Sequence, residues 1–60
     1  MAAFTMYRDL KREFRWNLKA DNGLKIADSG EGYTTKENCE HGIALVKQLA
    51  PTATVIDQTN

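Results

Sequence analysis

The chain has 60 residues, 25 of them apolar, with eight basic and eight acidic side chains and one cysteine. A chain this short buries only about 60% of the surface its unfolded form exposes, so its core needs outside help. One cysteine closes no internal disulfide, Cys39 and His41 supply two soft ligands where a structural zinc site takes four, and zero net charge argues against an indiscriminate nucleic-acid binder rich in lysine and arginine.

A second subunit is therefore the expected support. The start, Met-Ala-Ala-Phe-Thr-Met-Tyr-Arg, has no long apolar run behind a basic stretch, and no segment is apolar enough to span a membrane, so a cytoplasmic location is expected. Without repeats, low-complexity tracts or linkers, residues 1–60 read as a single domain.

The first half alternates with a period of two. Phe4 and Met6 share one side of a first strand, with Thr5 and Tyr7 on the other. From Glu13 to Ala20 the pattern is clearest: Phe14, Trp16, Leu18 and Ala20 interleave with Glu13, Arg15, Asn17 and Lys19. Joining these strands with the apolar sets on one face places Met6 near Phe14 and Phe4 near Trp16, with Asp9, Leu10 and Lys11 as the turn. Leu24 to Asp28 forms a third strand, with Leu24 and Ile26 on the apolar side.

The second turn can be tested by parity. A two-residue Asn22-Gly23 turn sets Lys19 opposite Ile26 and splits the apolar set across faces. A three-residue loop with Gly23 left-handed pairs Ala20 with Leu24, Lys19 with Lys25 and Leu18 with Ile26, and is the form expected.

After the loop Ser29-Gly30-Glu31-Gly32, Thr34 and Glu37 stand at capping-box spacing, which predicts a helix from about Thr35. Its apolar stripe is Cys39, Gly42, Ile43 and Val46, continued by Leu49 or Ala50, while Lys36, Glu37, Glu40, Lys47 and Gln48 face water. Gly42 on that stripe implies a close approach of helix to sheet, and Tyr33 packs on the helix as a staple. Pro51 ends the helix, and Thr52 to Asp57, anchored by Val55 and Ile56, predicts a last strand. The order β-β-β-α-β gives a two-layer α+β fold, an antiparallel sheet with one helix.

In sequence order, Phe14-Arg15-Trp16-Asn17-Leu18-Lys19-Ala20, Asn22-Gly23, Ile26 to Lys36, Gly42-Ile43 and Val46-Lys47 closely resemble the YegP-like family of short bacterial and archaeal proteins of unknown function. The resemblance runs from Phe4 to Asp57 and implies a β-β-β-α-β unit found as a tandem pair in one chain or as a single copy, which would then form a homodimer. It brings no reaction, cofactor or catalytic residue. The family often has a glycine in the first hairpin turn, where this chain has Asp9-Leu10-Lys11-Arg12.

No catalytic, cofactor or metal site is expected. Cys39 and His41, two apart on a helix, point about 200° from each other. The Ser29–Gly32 loop lacks the ending of a phosphate-binding loop and carries Glu31, so it reads as a tight connection. Residues 1–30 carry six basic and four acidic side chains, residues 31–60 two and four. Tyr7, Arg15, Lys19 and Lys25 on the polar sheet face thus form a modest basic and aromatic platform. The leading expectation is a non-enzymatic homodimeric interaction module, and the alternative is weak binding of single-stranded nucleic acid on that platform. The structural set is Phe14, Trp16, Leu18, Gly23, Ile26, Tyr33, Thr34, Gly42, Ile43 and Val46; on the polar face, Arg15→Ala is expected to be silent for folding.

Overall fold

The computed structural model describes residues 1–59. Three antiparallel strands, β1 (Ala3–Arg8), β2 (Phe14–Lys19) and β3 (Lys25–Asp28), form one sheet in the order β1-β2-β3, followed by helix α1 (Lys36–Leu49). The fold is α+β, as the change of period from two to 3.6 implies.

The alternation of β1 and β2 places Phe4, Met6, Phe14, Trp16 and Leu18 on one face. Phe4 pairs with Leu18, Met6 with Trp16 and Arg8 with Phe14, two residues away from the register expected. A slip of two preserves parity, so the faces stand and only the turn changes. Asp9 N–H donates to Glu13 O and Arg12 N–H to Asp9 O, leaving Leu10, Lys11 and Arg12 as the loop with Arg12 at φ 65°. The second hairpin repeats this arrangement: Ala20 N–H donates to Leu24 O, Gly23 N–H to Ala20 O, and Gly23 has φ 85°.

β3 departs from the expected register. Lys19 faces Lys25, but Leu18 faces Ala27, so Ile26 is an extra residue in a β-bulge. The bulge returns Ala27 to the apolar side and leaves Ile26 62% exposed, as it leaves Leu24 65% exposed; neither anchors the core.

The helix begins one residue later than the capping box implies. Thr35, not Thr34, is the N-cap, and its hydroxyl accepts from Asn38 N–H at 3.1 Å. Its stripe packs on β2, the central strand, with Cys39 fully enclosed, Trp16 5% exposed, and Gly42, Ile43 and Val46 half-buried. Leu49 and Ala50 are exposed, so the stripe ends at Val46. Phe4 meets Trp16 edge to face, ring centroids 5.5 Å apart. Tyr33 exchanges both backbone hydrogen bonds with Phe14, and its hydroxyl stands 2.6 Å from where a β-carbon on Gly42 would lie; Trp16 Nε1 lies 3.5 Å from the same point.

The expected last strand is absent. Ala50–Thr52 form a 3₁₀ turn around Pro51, whose ring cannot continue α1, and residues 53–59 run on without regular structure. Val55 and Ile56 are 92% and 76% exposed. Strand propensity in this segment is real, but a strand forms only on a ladder partner, and the segment pairs with no strand of its own chain.

Candidate functional site

The face of the sheet away from α1 is built from the odd-numbered residues of β1 and β2. Tyr7 lies opposite Arg15, Thr5 opposite Asn17 and Ala3 opposite Lys19, while β3 adds Lys25 beside Lys19 and Asp28 beside Asn17. The four residues of the expected platform, Tyr7, Arg15, Lys19 and Lys25, therefore share this face.

Its charge is more neutralised than sequence implies. Arg15 Nε donates to Asp9 Oδ2 at 2.7 Å, and Asp9 Oδ1 also accepts from the backbone N–H of Lys11 at 2.9 Å and of Glu13 at 3.0 Å. The Arg15 hydrogen bond, helped by the Glu13 amide, holds the Asp9 carboxyl below its ordinary range, and Asp9 in turn raises the Arg15 guanidinium. Arg15 is thus the strut of the first hairpin turn, and the expectation that Arg15→Ala is silent for folding gives way to a structural role. Lys25 Nζ lies 3.8 Å from Asp28 Oδ2. Lys19 is left, among the described residues, without a carboxylate partner.

A second surface, which sequence did not single out, runs along the outer edge of β1. Phe14 bonds through its backbone to Tyr33, and Trp16 O accepts from Ser29 N–H, so both direct their backbone groups away from β1. Their partners Arg8 and Met6 are then the non-hydrogen-bonded positions of the β1–β2 ladder, with N–H and C=O turned outward. Beside this edge, Met6, Glu40, Ile43, Ala44 and Lys47 line an open recess of about 310 Å³. Met6 also borders an adjoining recess of about 260 Å³ with Tyr7, Arg8, Phe14 and Lys36, where Arg8 lies 4.6 Å over the Phe14 ring. The alternating pattern identifies β1, but only the strand order shows it to be an edge.

The residues that looked reactive are kept apart. Cys39 is enclosed, burial pushes its thiol pKa up, and His41 is exposed. Among the described residues no group of three or more His, Cys, Asp or Glu comes together around a metal-sized space, and no helix is long and apolar enough to cross a membrane. The Ser29–Gly32 loop spends its polar groups internally: Ser29 Oγ donates to Glu31 O at 2.9 Å, Gly30 N–H donates to Asp28 Oδ1 at 3.2 Å, and Glu31 N–H donates to Ser29 O. A cradle for phosphate needs those amides free.

Comparison with known proteins places this geometry. The family model described as domain of unknown function (DUF1508) matches residues 9–57. The UPF0339 protein NMB1088 of Neisseria meningitidis serogroup B is 54% identical over 44 residues, 73% of this chain and 77% of that protein. A UPF0339 protein of Stutzerimonas stutzeri, described as lying in the ptx operon 5' region, is 48% identical over 48 residues, 80% of this chain but 42% of the relative. The NMR solution structure of a protein from Haloferax volcanii superposes with a TM-score of 0.88 at 46% identity, covering 93% of each chain.

Proposed function

The chain belongs to the family of the domain of unknown function DUF1508, represented in bacteria and archaea, and we propose that it is a non-enzymatic interaction module completed by a second copy of itself. The observation that carries this reading is the tail: Val55 and Ile56, the best strand formers after the helix, are 92% and 76% exposed, in a chain whose buried apolar residues are Trp16 and Cys39. An adjacent apolar β-branched pair left in water beside so small a core supports a surface covered by a partner.

The β1 edge supplies what such a tail lacks. It turns the backbone groups of Met6 and Arg8 outward, beside the recess of Met6, Ile43 and Ala44. Residues 53–57, five residues extended at roughly 3.3 Å each, span all but one residue of the six-residue β1. Each tail of a two-fold pair seats on the other copy's β1, and the exchange is isologous. The Stutzerimonas relative, of which the match covers 42%, has the length for a second unit within one chain, which supports a paired working form.

Sedimentation equilibrium tests this directly. The wild-type chain is expected at twice its 6.7 kDa mass, and the V55D/I56D variant at the monomer mass. A wild type that stays monomeric at millimolar concentration, or a variant that stays dimeric, overturns the reading. Single-stranded nucleic acid on the sheet face has less support, because Arg15 and Lys25 are engaged by Asp9 and Asp28.

A further inference from the structure

The second hairpin turn carries a chemistry that the proposed pairing does not use. Asn22 and Gly23 are both exposed, and the Asn22 carboxamide is folded back so that its Oδ1 accepts from Leu24 N–H at 3.1 Å. That hydrogen bond polarises the side-chain carbonyl and holds it beside the next backbone amides along the chain. Gly23 has no side chain to obstruct attack, and beyond its two chain neighbours no heavy atom lies within 4 Å of where its β-carbon would stand.

We infer that Asn22 is a site of spontaneous deamidation, a modification built into the β2–β3 turn. The backbone nitrogen of Gly23 loses its proton and attacks Asn22 Cγ. The new C–N bond closes a five-membered succinimide, and the side-chain nitrogen leaves as ammonia. The Leu24 N–H, already on Oδ1, stabilises the oxyanion of the tetrahedral intermediate, the role backbone donors play in acyl-transfer sites. Water then opens the ring at either carbonyl, giving aspartate or isoaspartate.

Two opposing contacts set the rate. Gly23 N–H donates to Ala20 O at 2.9 Å and must release it before reacting, but the turn is solvent-exposed at both residues and the bond opens locally. Asn17, within paired β2 and followed by Leu18, and Asn38, in the first turn of α1 and followed by enclosed Cys39, have no such freedom.

The product changes the hairpin. An isoaspartyl residue routes the backbone through its β-carbon and adds an atom to a loop whose length fixes the Ala20–Leu24 pairing. The four residues of β3 are all exposed and hang on that register, so modification loosens β3 first. The turn is thereby an age-dependent switch on one sheet edge, whether or not the chain pairs with a copy of itself.

The test incubates the native chain at pH 8.5 and 37 °C and follows isoaspartate by enzymatic carboxyl methylation and peptide mass. Conversion at Asn22 is expected before any detectable change at Asn17 or Asn38, with none at position 22 in the Asn22→Ser variant, and with a falling thermal midpoint as the product accumulates. Conversion at Asn22 seen only in urea, or at the same rate at Asn17, Asn22 and Asn38, overturns the proposal. None of these readouts depends on mass in the centrifuge, so failure here is distinct from failure of the pairing.

Discussion

The Tyr33 hydroxyl stands 2.6 Å from the point a β-carbon on Gly42 would occupy, so the helix reaches β2 through a contact only glycine permits. Gly42→Ala has two opposed effects. Alanine in a helix is worth about 1 kcal/mol over glycine, while the overlap forces the phenol out of its seat. The overlap dominates, because the Tyr33 ring carbon Cζ is also only 3.1 Å away. Gly42→Ala is expected to destabilise the wild type and to do so markedly less in a Tyr33→Phe background. Urea denaturation of the four-member cycle should give a coupling energy of about 0.5–3 kcal/mol, and additive effects would exclude the contact.

Arg12 sits where the repeated turn calls for glycine. Both hairpins close with the same pair of backbone hydrogen bonds, yet the left-handed position holds Gly23 in one and Arg12, at φ 65°, in the other. A side chain there costs about 1–2 kcal/mol, offset in part by the greater freedom glycine has when unfolded, about 0.5–1 kcal/mol. Arg12→Gly is therefore expected to stabilise by about 0.5–1 kcal/mol, raising the melting temperature by several degrees. Gly23→Ala should destabilise, and a loss of stability from both substitutions would show that the turns differ.

What could be read from sequence, and what could not, follows from the same geometry. Alternation identified the face holding Phe14, Trp16 and Leu18 because a register slip of two, as occurred at Met6 and Trp16, leaves parity untouched. Ile26 was misplaced because a bulge inserts a single residue, and the pattern Leu24-Lys25-Ile26 looks the same with or without it. Val55 and Ile56 have the composition of a strand, but composition does not say whether an edge lies within reach. Tyr7 and Lys19 fell on the open face as parity required, whereas the Asp9–Arg15 bond depends on a turn type that sequence left open.

Position 26 separates the two views of the core. Trp16, 5% exposed against Phe4 and α1, anchors it, and Trp16→Ala is expected to cost about 3–5 kcal/mol, enough to unfold a domain of this size. Ile26→Ser, at a bulge residue 62% exposed, should stay within about 0.5 kcal/mol of wild type. A large loss at Ile26 by circular-dichroism melting would place it on a buried face after all.

The Asp9–Arg15 bond makes stability sensitive to acid. Arg15 and the Glu13 amide lower the Asp9 pKa in the folded chain, while the unfolded chain has the ordinary aspartate value of about 3.9. A carboxyl depressed by folding contributes stability that is fully present above the unfolded value and is lost as pH falls toward and through the folded one. Urea midpoints of wild type and Asp9→Asn should therefore differ most at pH 6 and converge as pH falls below the unfolded value and through the folded one. Arg15→Ala should show the same acid convergence, because it removes the largest cause of the shift. Asp57, lowered by Thr59 in the exposed tail, is common to all three chains and cancels from the comparison. A gap between wild type and Asp9→Asn that persists unchanged at pH 2 would mean that Asp9 acts through its turn geometry alone, since a protonated carboxyl cannot hold the Arg15 charge.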